Sequence, residues 1–173
     1  STRACYRGKG VRITIKLGGS ILEESGIRTR LLDQVARMAK LGHEILLVHG
    51  GGKSLNRRLA QLQMTSRFVD GLRVTDAETL DVAVMVLAGE VNKRIVSELN
   101  RLGIPALGIC GADAAAVRCV RLSELPGTPQ EIGFVGKPSS VNGSFFDLVL
   151  RSGLMPVVSS LALGPGGQLY NVN

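Results

Sequence analysis

Hydrophobic positions in this chain follow two periods, and glycines stand where one period gives way to the other. Val11, Ile13, Ile15 and Leu17 alternate with Arg12, Thr14 and Lys16, the two-residue repeat of a half-buried strand, and Gly18-Gly19-Ser20 ends it. From Ile27 to Leu41 the residues Ile27, Leu31, Leu32, Val35, Met38 and Ala39 take helical spacing, with Gly42 placed to end that helix. Ile45 to Val48 is a short apolar run, β-branched at both ends, that reads as a buried strand leading into Gly50-Gly51-Gly52. A strand, helix and strand of this length predict a right-handed βαβ unit with parallel strands. Both glycine loops then lie at the same carboxyl edge of one sheet.

A helix from Lys53 to Leu62 and a polar connection, Gln63 to Ser66, come next. Thr75 with Glu78 three residues later forms a capping box before a long helix, Asp76 to Leu102. Leu80, Val84, Leu87, Val91, Ile95, Leu99 and Leu102 make one apolar stripe, which Val82, Met85, Val86 and Val96 widen. More than one face should be covered, in the core or at a subunit interface. Ala106 to Ile109 reads as a strand, and Ala116 to Leu122 as an edge strand or hairpin arm paired with Gly133 to Val141. Ser144 is placed to cap a helix over Phe145 to Ser152. Pro156 to Ser160 and Gln168 to Val172 read as strands, the latter after the tight connection Gly164-Pro165-Gly166-Gly167.

One glycine suffices for a turn. Three in a row expose successive N–H groups with no Cβ in the way, and at a helix N-terminus, where the dipole also favours negative charge, that suits an anionic ligand. The plain alternative is a flexible strand-to-helix connection.

Composition narrows the class. A length of 173 residues with 45% hydrophobic content fits one domain with a sizeable core, residues 11–173, preceded by a basic, frayed terminus over residues 1–10. Aromatics supply 3% and Trp is absent, so the core rests on Leu, Val, Ile and Ala, as in parallel-sheet α/β domains. Apolar runs fall short of the roughly 20 residues that span a bilayer, so no membrane partner is expected. Cys5, Cys110 and Cys119 show no C-x-x-C spacing, and His43 and His49 are the only histidines. No metal site is expected, and a reducing, cytoplasmic location is, with an organellar one left open by the basic terminus. The net charge of +7 fits acidic small molecules as well as nucleic acid, and no nucleic-acid partner is assigned.

Familiar phosphate motifs fail on spacing. Lys53-Ser54 after Gly52 mimics the end of a P-loop, but Leu47 stands where its first glycine is required, and no G-x-G-x-x-G is present. What remains is Lys16-Leu17-Gly18-Gly19-Ser20, His49-Gly50-Gly51-Gly52 and Asp70-Gly71-Leu72-Arg73-Val74-Thr75-Asp76. With ETLD after the third block, VLAGEVNK from Val86 to Lys93 and YNVN from Tyr170 to Asn173, the chain resembles the amino-acid kinase superfamily and, within it, the acetylglutamate kinase family, from about Ile13 to Asn173.

The resemblance implies an α/β fold, a three-layer αβα sandwich with a mainly parallel central sheet. It also implies phosphoryl transfer from ATP, with Mg2+, to the side-chain carboxylate of N-acetyl-L-glutamate, and a homodimer through helix 76–102. By the same resemblance Lys16 is the catalytic lysine, and Gly18, Gly19, Gly50 and Gly51 are the phosphate cradles. Gly50, Gly51, Gly52, Arg73 and Asn171 bind the substrate, with Arg73 on its α-carboxylate. Each has a bland reading: Arg73 in a surface pair with Asp70 or Asp76, Lys16 as a solvated strand-end lysine, Asn171 as a turn residue. His49 reads as a loop histidine with a structural hydrogen bond, and Asp113 as an organiser of its own loop. In the family YNVN continues into an Ala-Asp pair and a nucleotide-binding half. The expectation is therefore the substrate-binding half, truncated before the nucleotide site, with a catalytically silent binding or regulatory module of the same fold as the rival.

Overall fold

A computed structural model describes residues 10–127 and 130–172. Residues 1–9 of the basic terminus, with Cys5, and Asn173 at the end of YNVN lie outside the described residues. The chain runs β1 (Arg12–Leu17), α1 (Gly19–Glu23), α2 (Ser25–Lys40), β2 (Glu44–His49), α3 (Gly52–Gln61), β3 (Phe68–Val69), β4 (Leu72–Arg73) and α4 (Ala77–Val84). A π-helical segment, Met85–Val91, leads into α5 (Asn92–Arg101), β5 (Ala106–Ile109), β6 (Val117–Arg121), β7 (Val135–Val141), α6 (Gly143–Arg151), β8 (Met155–Ser159), β9 (Leu161–Leu163) and β10 (Leu169–Val172).

The main sheet has the order β1-β2-β8-β5, with every neighbour parallel. Leu17 pairs with His49, so both glycine loops leave the same edge side by side, as the βαβ reading requires. On one face Ile45, Leu47 and Val157 pack under Leu32, Val35, Leu59, Ile95 and Leu99 from the surrounding helices. Each such side chain, fully buried, contributes about 1.5–3 kcal/mol. On the other face α6 packs on β8, where Phe146 meets Ile109 and Val158. The three layers match the fold implied by the resemblance. Over β1 and β2 that second face is open, and Arg12, Thr14, Leu46 and Val48 line a groove of about 660 Å³.

Several local expectations need correction. The helix read as continuous from Asp76 contains the π segment, whose extra residue rotates everything after it by about 100° and carries Asn92 into the core. Its cap is Asp76, which accepts from Thr79 N at 2.8 Å. Thr75 is engaged elsewhere, bridging to Gly133 and donating its Oγ1 proton to Arg73 O at 2.9 Å. Likewise Asn142, and not Ser144, caps α6, accepting from Phe145 N at 3.1 Å. The β6–β7 pair forms as expected, with a bulge between Arg118 and Cys119, but β9 and β10 close it into a separate small barrel that the periodicity did not suggest. Leu80, Val82, Val86, Leu87 and Val91 are all buried within the chain, so the second apolar face is filled internally and only Met85, 59% exposed, stays out as a large apolar residue of that helix. Among the described residues no helix is long and apolar enough to cross a membrane.

Candidate functional site

The carboxyl ends of β1 and β2, the β3–β4 hairpin and β10 enclose a cleft of about 240 Å³. It brings together Lys16, Gly18, Gly19, Gly50, Gly51, Gly52, Arg73 and Asn171, all the site residues singled out from the sequence. The described lining residues include two cations, Lys16 and Arg73, and no carboxylate.

The glycines lack side chains for different reasons. At Gly51 φ is 170°, outside the left-handed region, and a Cβ would stand 2.8 Å from Leu87 Cδ2 and 3.2 Å from Val91 Cγ2. Packing against the π segment requires that glycine. At Gly18, Gly50 and Gly52 a Cβ would meet nothing within 4 Å, and none of the three has a left-handed φ. Neither packing nor conformation accounts for them, whereas an anion drawn close to the backbone does. The N–H groups of Gly51 and Gly52 donate to no acceptor among the described residues, and they stand at the positive end of α3.

Arg73 ends the β3–β4 hairpin, whose turn takes left-handed conformations at Asp70 (φ 50°) and Gly71 (φ 78°). The residue is 8% exposed. It donates to Ser66 Oγ at 2.8 Å and to Asn56 Oδ1 at 2.5 Å, and stacks 4.6 Å over the Phe68 ring. No carboxylate pairs with it among the described residues; Asp70 is in the turn and Asp76 caps α4, so the surface pair considered from the sequence does not form. Burial pushes Arg73 down from its ordinary value, but a guanidinium so basic stays charged. A buried cation with only neutral partners is costly and awaits an anion.

Asn171 is a strand residue and not a turn residue: it pairs with Val135 and Leu161, and its Nδ2 donates to Thr75 Oγ1 at 3.5 Å. Thr75 also stitches the hairpin to the small barrel, donating its N–H to Ile132 O at 2.9 Å and accepting from Phe134 N at 2.6 Å. Gly133 permits that approach, since a Cβ there would lie 2.2 Å from Thr75 O. Lys16 extends from the end of β1 with an exposed side chain and, among the described residues, no ion-pair partner. His49 is not in the loop; it ends β2 with no exposed surface, its ring engaged on both sides by hydrogen bonds. Asp113 accepts from Cys110 N at 2.6 Å and so organises its own loop.

Sequence reading missed Asn56, Ser66 and Phe68 around Arg73; only the proximity of Phe68 to the DGLR motif hinted at one of them. It also missed Glu23, which accepts from Ser54 Oγ and from Arg57 at 2.7 Å and so ties α1 to α3 behind the two loops. The Ser54 bond, and then Arg57, hold the Glu23 carboxyl below the usual range.

Acetylglutamate kinase from Marinobacter nauticus is 40% identical over 174 aligned residues, which cover 96% of this chain and 60% of that protein. The enzyme of the same name from Acidobacterium capsulatum is 42% identical over 163 residues, covering 94% of this chain and 61% of that protein. The chain thus spans about 60% of the length of the curated relatives it matches. Its fold is similar to that of smu.665 from Streptococcus mutans UA159, with a TM-score of 0.81 at 23% identity, covering 94% of this chain and 63% of that one. N-acetylglutamate synthase from Neisseria gonorrhoeae, solved with coenzyme A and N-acetyl-glutamate, gives 0.76 at 23%, covering 95% of this chain and 36% of that one. At such identities the likeness is one of fold. The profile of the Amino acid kinase family matches residues 12–173, which takes in β1, both glycine loops, the hairpin with Arg73 and β10, and the chain belongs to that family.

Proposed function

We propose that this chain is the N-acetyl-L-glutamate-binding part of an acetylglutamate kinase, acting in arginine biosynthesis to move the γ-phosphoryl group of ATP onto the substrate's side-chain carboxylate. The observation that carries the reading is Arg73, buried in a cleft without a carboxylate while unengaged N–H groups stand at the glycine end. An α-carboxylate on Arg73, with Asn171 beside it, directs the substrate's other carboxylate toward the loops and Lys16. That carboxylate is already ionised near neutral pH and needs no general base. The obstacle is repulsion between anions, which Lys16 and the N–H groups of the loops offset as charge builds on the transferring phosphoryl oxygens. The described lining offers no carboxylate to hold Mg2+, so no step is assigned to a metal bound by this chain. Adenine and ribose are assigned to a site outside it.

Isothermal calorimetry with N-acetyl-L-glutamate tests the reading. Arg73→Ala should weaken binding by about 1–3 kcal/mol, and Arg73→Lys should not restore it, because a point charge does not replace a bidentate fork. Unchanged affinity in the alanine variant overturns the assignment. Pairing of two copies through helix 76–102 belongs to the same proposal, with Met85 as its exposed apolar contact; light scattering at micromolar concentration should report a dimer, and a monomer removes that part.

A further inference from the structure

His49 is a buried titratable group with no task in the reaction proposed above. Its Nδ1 lies 2.8 Å from Gly50 O, and its Nε2 lies 3.0 Å from Asn92 Nδ2. A carbonyl oxygen only accepts, so Nδ1 carries the proton, and Nε2 is left to accept from the Asn92 amide. That amide cannot turn round. Its Nδ2 also donates to Val157 O at 2.9 Å, and its Oδ1 accepts from Lys93 Nζ at 3.3 Å. Gly108 makes room for it, since a Cβ there would stand 1.9 Å from Asn92 Oδ1. The π segment ends at Val91, so the extra residue in that segment is what turns Asn92 toward the ring.

The consequence falls on one peptide. No cis bond occurs among the described residues, so the N–H of Gly51 points opposite to the Gly50 carbonyl that His49 holds. The facing loop lies close by: a Gly19 Cβ would stand 4.0 Å from Gly51 N and 3.4 Å from Gly52 N. We propose that His49 and Asn92 are positioning residues, a buried relay from the π segment that holds the Gly50–Gly51 peptide with its N–H aimed into the cleft, where a phosphoryl oxygen would receive it. A peptide between two glycines is otherwise free to flip, because glycine populates both signs of φ. The inference rests on the reading of the loops as a phosphate cradle.

The test uses the 15N-labelled 173-residue chain, inorganic pyrophosphate as probe, and N-acetyl-L-glutamate calorimetry in parallel. Imidazole nitrogen shifts should report the Nδ1–H tautomer, and pyrophosphate should move the amide resonances of Gly51 and Gly52. His49→Asn keeps a donor near the Nδ1 position and should hold pyrophosphate affinity within about threefold, whereas His49→Gln, closer in size, leaves Gly50 O without a donor and should lose about tenfold. A role in packing alone predicts the reverse order, because asparagine leaves the larger void. An Nε2–H tautomer, unmoved Gly51 and Gly52 amides, or an asparagine variant no better than the glutamine one overturns the relay. Should both variants fail to fold, the wild-type tautomer and the Gly51 shift decide. Loss of N-acetyl-L-glutamate binding with these signatures intact removes the substrate assignment and leaves the relay standing.

Discussion

The two faces of the main sheet are built by the same strands and covered to different extents. Toward α2, α3 and α5, Ile45, Leu47 and Val157 are sealed. Toward α6, Val158 is sealed while Leu46 and Val48, on the adjacent strand, look into the open groove. An apolar run such as Ile45 to Val48 declares that both faces of a strand are hydrophobic, but it does not say what covers each of them. The cleft stands at the end of the sheet where the faces meet. The Gly50–Gly51 peptide is held from the sealed side, through the π segment and His49, while Lys16 reaches in from strand β1 at the open side.

Truncating one residue on each side breaks or upholds this contrast. Leu47→Ala on the sealed face should cost about 2–5 kcal/mol in urea denaturation, through lost transfer energy and the cavity left behind. Val48→Ala on the open face should cost about 1 kcal/mol. Equal losses would mean that the groove is closed in solution.

A smaller effect separates the glycines. Gly51→Ala pushes a methyl against Leu87 and Val91 and should destabilise the fold by about 1–3 kcal/mol. Gly50→Ala meets open space and should leave stability within about 0.5 kcal/mol while weakening pyrophosphate binding. Thermal melts of the two variants, read beside their ligand titrations, give the comparison; similar melting losses would refute the distinction between a packing glycine and a cradle glycine.

The smallest effect is carried by protons. Burial lowers the His49 pKa from its ordinary 6.5, so between the folded-state value and 6.5 the unfolded chain binds the extra proton. The contribution is fully present above pH 6.5 and declines as pH falls below it. Glu23, held down by Ser54 and Arg57, and Glu90, held down by Arg58 and Arg94, lose theirs lower, as pH falls below their ordinary 4.5. Urea midpoints followed downward from pH 8 should therefore fall in two stages, and His49→Asn should abolish the first; a first stage that survives in that variant assigns it to another group.

How much of this was legible in the sequence depended on the range of each pattern. The alternation in β1, the stripe of α2 and the parallel juxtaposition of the two glycine loops follow from short repeats and from the handedness of one crossover. Gathering Arg73 and Asn171 into the same cleft came from the family resemblance; no periodicity places residues so far apart in sequence at one site. The burial of Arg73 was beyond reach because it depends on where the hairpin lies relative to Asn56 and Ser66. The π segment was hidden because one inserted residue does not disturb a stripe already broad enough to tolerate it. β9, at three residues, is too short to show a period. The α4 cap moved because the Thr75 hydroxyl is taken by Arg73 O while its backbone bridges to Gly133, a contact with no local signature.

The strand order has a consequence for how the molecule comes into being. β2 lies between β1, its near neighbour in sequence, and β8, which joins it through Leu47 and Val157 only when most of the described chain is in place. Until then β2 offers an unpaired hydrophobic edge, open to the wrong partner. Loop-closure entropy must be overcome before such distant parallel pairing is rewarded, which makes for slow folding. For a nascent or refolding chain, the interval between completing β2 and docking β8 is when aggregation competes most strongly with the native fold.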